Sequence, residues 1–337
     1  MKSQIARLTN RALDLVYFPG CAWLTFPGRR GRVVCLLYHR VIAPSDDPYS
    51  FMTRGGLPAI DPQELASDLA YLKRNGASFL TFDDLRAGQF PSKRDWAVIV
   101  TFDDCFYDNY TQGIEVLSTL GIKAVFFQTS GLVDGRELIW EHRLYWYSRN
   151  NQMVARLLCL ANAVLSSMGL APIDHQNGVV HCLREQIPFA VTAEILRRAS
   201  TDAALNESMP RWPERLYPTA EQVRSARRAG HEIGCHGHQH FKRTNIPGAL
   251  FRSDLEQSKA VLTTILGETP ASYSFPFSSF GPDDTEICRA LFDVTATVER
   301  KRVIERPEDR VLAPRFTWPG PAKNSFRQRR WLLTGTI

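Results

Sequence analysis

Trp96-Ala97-Val98-Ile99-Val100-Thr101-Phe102 is an unbroken apolar run that ends in two carboxylates, Asp103 and Asp104. A run rich in β-branched and aromatic residues, with no polar alternation, predicts a strand covered on both faces. That is the pattern of a parallel sheet with helices packed over it. Acidic residues just past the carboxyl end of such a strand stand where these folds carry their chemistry. Working outward, residues 32–41 (RVVCLLYHRV) and 122–129 (IKAVFFQT) read as two more buried strands. Asp61-Pro62-Gln63-Glu64 reads as a capped helix start, with Leu65, Leu69 and Leu72 as its apolar face and Gly76 as its stop. Residues 219–229 predict a helix stopped by Gly230, and 250–266 a helix stopped by Gly267. Short strands are predicted at 78–81, 231–235, 272–275 and 294–298, with helices at 113–120 and 283–291. Strand and helix patterns thus alternate, which implies a parallel sheet or barrel.

The alternation breaks between about 137 and 215, where Met153, Leu157, Leu160, Ala161, Val164, Leu165 and Met168 mark an amphipathic helix. This stretch reads as a helical insertion, either a substrate wall or simple packing over one side. Three segments follow: an extension over 1–30, a barrel-like domain over 31–320 that contains the insertion, and a basic tail over 321–337. In the extension, Lys2, Arg7 and Arg11 precede an apolar run that contains Pro19 and Gly20 and is too short to span a bilayer. It reads as a segment resting on a membrane interface or packed on the barrel.

Hydrophobic residues make up 44% of the 337, enough for a large core without disulfides. The seven cysteines are odd in number and scattered, which argues against a disulfide framework and for a reducing compartment. The expected location is therefore cytoplasmic, with peripheral contact to the inner membrane as a second reading and the periplasm left open. The net charge of +6 weakly favours an anionic partner such as a membrane surface or acidic glycan. Its basic residues are scattered and follow no nucleic-acid motif, so no nucleic-acid partner is expected. The tail cations Lys323, Arg327, Arg329 and Arg330 could rest on anionic lipid.

Thr-Phe-Asp-Asp occurs twice, at 81–84 and 101–104. The first copy precedes Leu85-Arg86, where Asp83 or Asp84 makes a good helix cap. The second follows the long strand, where alternation would send Asp104 toward a metal and Asp103 to the other side of a pocket. Far downstream, His236 and His240 form a His-x-x-x-His pair. Residues four apart on an extended strand stand about 13 Å apart, too far for one ion. A turn of helix or a tight loop would bring them together, and Gly234 and Gly237 favour the loop. Asp104, His236 and His240 would then be three ligands and Asp103 a spare base, enough to activate water. His231 reads as structural, and His238 should point away. Cys105 and Cys235 adjoin these motifs as thiolate ligands or, the favoured reading, as small buried thiols.

Three elements in this order resemble the polysaccharide deacetylase family, the NodB-homology or carbohydrate esterase family four. Thr101-Phe102-Asp103-Asp104 is similar to its first motif, Gly230-His231-Glu232-Ile233-Gly234-Cys235-His236 through His240 to its second, and Phe275-Pro276-Phe277 to its third. Leu37-Tyr38-His39-Arg40-Val41 resembles the Tyr-His element of one branch, and Asp254-Leu255-Glu256-Gln257-Ser258-Lys259 the helix before the third motif. The likeness spans roughly 32–135 and 216–317. It implies an α/β fold, a distorted (β/α) barrel with fewer than eight complete units. It implies a divalent metal, usually zinc, held by Asp104, His236 and His240, with Asp103 as general base. Phe277, behind the rigid Pro276, would offer its backbone N–H to an oxyanion.

The departures from the pattern are specific. Cys105 stands where the family has Gly, Gly237 where it has Ser or Thr, and Ser278 where it has Gly. The arginine before the third motif's proline is absent. The late Leu-x-His that supplies the acid has no counterpart, because no histidine follows His240. His39 is the substitute expected as catalytic acid. The activity so implied is removal of N-acetyl groups from amino sugars of a polysaccharide or lipid-linked glycan. Trp140, Tyr145 and Trp146, read as exposed, either stack on sugar rings or serve packing alone. An O-acyl carbohydrate esterase and a non-catalytic glycan-binding protein are the alternatives.

Overall fold

The structure is a computed structural model, and it describes residues 31–54, 56–174, 178–207, 209, 215–298 and 303–317. The 1–30 extension and the basic tail lie outside the described residues, so the readings placed on them do too. Among the described residues no helix is long and apolar enough to cross a membrane.

The two strongest predicted strands form the centre. β1 (Arg32–Tyr38) and β5 (Trp96–Phe102) run parallel over their whole length, from Arg32 opposite Trp96 to Tyr38 opposite Phe102. β2 (Arg40–Val41) and β3 (Ala59–Ile60) make a small separate pair. β4 (Ala77–Phe79) lies on the first half of the free edge of β5, and β6 (Val125–Gln128) on its second half. β7 (Glu232–Cys235), β8 (Ser272–Ser274), β9 (Val294–Val298) and β10 (Ala313–Thr317) continue the sheet, all parallel. β10 then pairs with β1 and closes a ring of seven strands, with β4 as a spur. Within the ring, the closing strand β10 is the one that the sequence pattern did not predict; outside it, β3 forms in a stretch that reads as loop.

Both faces of β1 and β5 are buried, as their unbroken apolar runs require. Val33, Cys35, Ala97 and Ile99 pack with Val125, Phe127, Val294, Ala296 and Ala313 in one cluster, the barrel interior. Their alternating neighbours Val34, Leu36, Val98 and Val100 pack in another, beneath the helices.

The helices in chain order are α1 (Ser50–Arg54), α2 (Pro62–Arg74), α3 (Phe82–Arg86), α4 (Ile114–Leu120), α5 (Trp140–Tyr147), α6 (Asn151–Ser167), α7 (Val179–Glu185), α8 (Phe189–Ala199), α9 (Ala203–Asn206), α10 (Ala220–Arg228), α11 (Gly248–Leu266) and α12 (Asp284–Leu291). Asp61 caps α2 by accepting from the Gln63 N–H, with Pro62 at the first position. The first Thr-Phe-Asp-Asp copy is a cap, but the capping residue is Thr81 itself. Asp84 closes the box by accepting from the Thr81 N–H at 2.7 Å. α5 to α9 are the insertion and have a core of their own, in which Leu144, Tyr147, Leu157, Val164, Leu165 and Ile195 are fully buried.

Because every strand of the ring is parallel, all carboxyl ends reach one rim. That rim carries His39, Asp103, Asp104, His236 and Phe275, each one or two residues past the end of its strand.

Candidate metal centre

The in-register pairing of β1 and β5 puts His39 beside Asp103, and the Asp103 N–H donates to the Tyr38 carbonyl at 3.0 Å. Strand alternation does not continue past Phe102. Asp104 and Cys105 both take φ of 63°, a left-handed turn. Alternation is therefore not what separates the two carboxylates; both line one pocket, Asp104 facing the two imidazoles and Asp103 facing Arg315. The turn also explains a departure noted above. The backbone keeps the left-handed conformation that glycine adopts freely, and here Cys105 holds it.

His236 leaves β7 directly, and the chain turns back through Gly237 at φ 74° to His240 at φ 55°. This is the predicted tight loop, and the two rings lie 5.0 Å apart. Glycine is required at 237, because a Cβ there would come within 2.8 Å of Asp254 Oδ2. Asp254 of α11 accepts the His238 and Gln239 N–H groups, both at 2.9 Å, and Ser258 donates to the Gly237 carbonyl at 3.0 Å. The helix that resembled the family's therefore clamps the loop. His238 turns away, with Nδ1 2.8 Å from Ser130 Oγ, and His231 Nδ1 accepts the Ala124 N–H, a structural role.

Three donors converge at the rim. Asp104 Oδ1 is 2.9 Å from His240 Nε2 and 3.3 Å from His236 Nε2. The other ring nitrogens are occupied: His236 Nδ1 is 2.8 Å from the Ser274 carbonyl and His240 Nδ1 is 2.6 Å from Glu141 Oε2. A carbonyl and a carboxylate only accept, so both Nδ1 atoms carry hydrogen and both Nε2 atoms face Asp104. This donor set fits a divalent cation held by two imidazoles and a carboxylate. Burial alone would lower the His240 pKa, but Asp104 and Glu141 on its two nitrogens outweigh that and raise it to about 10. A cation entering here must displace that proton.

Asp103 is held differently. Arg315 of β10 grips both its oxygens, Nη1 to Oδ1 at 2.6 Å and Nη2 to Oδ2 at 2.7 Å, while Ser274 Oγ lies 3.2 Å from Oδ2. Burial pushes the Asp103 pKa up, but Arg315 and His236 prevail and hold it below the usual carboxylate value. His39 lines the pocket with an Nδ1 that has no hydrogen-bond partner among the described residues. Burial lowers its pKa against the pull of Asp104 and Asp103.

Phe277 and Ser278, at φ 58° and 49°, form the third wall beside the His240 ring, with Pro276 buried behind them. Ser278, like Cys105, keeps a left-handed backbone where the family has glycine. The insertion supplies Glu141, Tyr145 and Arg184 to the pocket, which has a volume of about 310 Å³. Trp146 and Tyr145 are buried, and Trp140 donates its indole N–H to the Gln239 carbonyl at 2.7 Å. Of the two readings of these aromatics, packing fits Trp146 and the hydrogen-bonded Trp140, while Tyr145 lines the pocket. Cys105 and Cys235 are buried thiols outside the three-donor group, and burial raises Cys235 to about 12.

Glu141 and Arg315 escaped sequence reasoning. Each meets its partner across 99 or 212 residues, with no local pattern to mark it.

Comparison with known proteins agrees with this geometry. The polysaccharide deacetylase family model matches residues 188–291, which include His236, His240 and the third motif but not Asp103–Asp104. Among solved structures, a polysaccharide deacetylase from Bacillus cereus aligns with TM-score 0.56 at 13% identity, over 90% of this chain and 70% of that one. IcaB from Ammonifex degensii aligns with TM-score 0.55 at 21% identity, over 90% and 98%. A de-N-acetylase from Aggregatibacter actinomycetemcomitans aligns with TM-score 0.54 at 17% identity, over 90% and 100%. No curated protein matches the chain. The resemblance to the polysaccharide deacetylase family thus holds, and the fold is that family's distorted (β/α) barrel.

Proposed function

We propose that this protein is a metal-dependent hydrolase that removes N-acetyl groups from amino sugars of a polysaccharide or lipid-linked glycan. The observation that carries the reading is the convergence of His236 Nε2 and His240 Nε2 on Asp104 Oδ1, with both Nδ1 atoms already committed. A divalent cation there, zinc by this donor set, would lower the pKa of a water and polarise an acyl carbonyl.

The chain's own residues then divide the proton work. Asp103, ionised and fixed by Arg315, takes a proton from the attacking water. The Phe277 N–H, presented by its left-handed turn after Pro276, donates to the developing oxyanion, a contact typically worth about 3–4 kcal/mol. His39 gives a proton to the leaving amine, which departs poorly without one. Its unpartnered Nδ1 and its place beside Asp103 support this role.

A second reading, an O-acyl carbohydrate esterase on the same scaffold, is favoured by one observation. Burial lowers the His39 pKa, and an alcohol leaving group needs less help from an acid than an amine does.

The test is metal content together with acetate release from N-acetylated and O-acetylated glycans, for wild type and Asp103→Asn. One equivalent of zinc, with N-acetyl release lost in the variant but metal retained, supports the deacetylase. Release from O-acetyl substrates alone transfers support to the esterase. A metal-free protein that stays inert after zinc is added back overturns both and leaves a glycan-binding protein.

A further inference from the structure

The carboxylate behind His240 comes from the insertion and not from the barrel. We propose that Glu141 is a positioning residue for the metal-binding imidazole of His240, so that α5 is an integral part of the metal centre. The proposal rests on the reading of Asp104, His236 and His240 as ligands and adds a residue to it.

Glu141 lies in the first turn of α5 and is 3% exposed. Its Oε2 is 2.6 Å from His240 Nδ1, and its Oε1 accepts from the Tyr145 hydroxyl at 2.8 Å, one helical turn on. Arg184 of α7 lies 3.7 Å from Oε1 and also contacts the Tyr145 hydroxyl. Oε1 is therefore fixed by the insertion's own residues, which leaves Oε2 for His240. An unanchored buried carboxylate would be costly, so this scaffolding holds the group in place for His240.

The two imidazoles are backed unequally. His236 donates to a neutral carbonyl of β8, and His240 to an anion. An anionic partner raises the basicity of the ligating nitrogen and fixes the ring's tautomer. His240 also needs more support, because its backbone sits in the left-handed region at φ 55°. Such a conformation persists only where the surroundings over-determine it. Asp254 does this from the α11 side through the preceding N–H groups, and Glu141 from the insertion side through the ring.

The experiment is zinc affinity by competition with a chromogenic chelator, on wild type, Glu141→Ala, Glu141→Gln and Tyr145→Phe. Glu141→Ala should weaken binding about 10–100-fold, the range found when such outer partners are removed. Glu141→Gln, which can still accept from Nδ1, should fall between it and wild type. Tyr145→Phe, which loosens Glu141 without touching His240, should weaken binding by a few-fold. Glu194→Gln is the control, since Glu194 pairs with Arg197 and Arg198 on α8 and touches neither Glu141 nor its partners. Its affinity should be unchanged. Lower melting temperatures with zinc affinity within about twofold of wild type in all variants would overturn the proposal and leave Glu141 a stability residue. If Glu141→Ala fails to fold, Glu141→Gln and Tyr145→Phe still decide it. A wild type that binds no zinc would instead overturn the metal reading beneath it.

Discussion

At the scale of single residues, the site depends on groups fixed by distant partners. Asp103 is held ionised chiefly by the two-pronged grip of Arg315, with His236 adding to it. A carboxylate so held is a weaker base than a free one, but it spends no time in unproductive rotamers. Arg315→Met leaves Asp103 buried without its cation, and removing one partner of a buried pair costs about 3–5 kcal/mol. Denaturant unfolding should show that loss, and the acid limb of the pH–rate profile should move up as the Asp103 pKa rises. An unmoved limb would mean that Asp103 is not the titrating base. Ser278 offers the opposite case. Its φ of 49° is strained for an L-residue, and its buried hydroxyl has no partner. Left-handed backbone costs about 1–2 kcal/mol, and glycine's extra chain entropy returns about 0.5–1 of it. Ser278→Gly should therefore gain about 0.5–1 kcal/mol in stability, whereas Ser278→Ala, which keeps the strain, should recover less.

At the scale of elements, β7 carries a polar residue at each end, with different consequences. His236 follows its carboxyl end at the metal centre, and Glu232 begins it on the opposite side of the barrel. Glu232 is 3% exposed, accepts from the Asp83 N–H at 2.9 Å and from Ser272 at 2.5 Å, and is raised from 4.5 to about 7 by burial and by the nearby Asp83 carboxylate. A carboxyl whose folded pKa lies above its unfolded value binds more protons when folded. Stability must then fall as pH climbs from about 4.5 to about 7, and stay level beyond. Glu232→Gln keeps an acceptor for the Asp83 N–H, offers its amide N–H to the Ser272 hydroxyl, which can turn to accept it, and removes the titration. Melting temperature against pH should lose its decline across that window in the variant, and a persisting decline would assign the titration to another group. The insertion is the second case at this scale. Its helices build a core of their own, yet α5 and α7 end in polar groups that reach the rim.

At the scale of the whole molecule, the three proposed ligands come from β5 and β7, on either side of β6. They meet only once β5, β6 and β7 pair, so a cation binds the folded chain and not the unfolded one. Zinc at 100 times its dissociation constant should add about 2.7 kcal/mol. That corresponds to a rise of about 5–10 °C for a chain of this size, at roughly 2–4 °C per kcal/mol. The rise should shrink as pH is lowered, because the proton on His240 competes for the same nitrogen. Scanning calorimetry with zinc and with a chelator would check both statements, and coincident melting curves would count against the site.

The sequence by itself determined what depends on neighbours along the chain. Unbroken apolar runs placed β1 and β5, Asp61 and Thr219 placed their helix starts, and Gly121 and Gly267 placed helix ends. The motif residues Asp104, His236 and His240 were legible too, because Asp104 and His236 follow strand ends and His240 completes a His-x-x-x-His spacing. Only the tertiary structure decided how these groups are supported. Arg315 reaches Asp103 because β10 closes the ring beside β1. Glu141 reaches His240 because the insertion folds back over the rim. Neither contact leaves a trace in periodicity or spacing, since a hydrogen bond across 99 or 212 residues is set by the packing of whole elements. The left-handed turns at Cys105 and Ser278 were equally hidden. Their residue types do not favour that conformation, and it is held by the surrounding fold at the site where the reactive groups must meet.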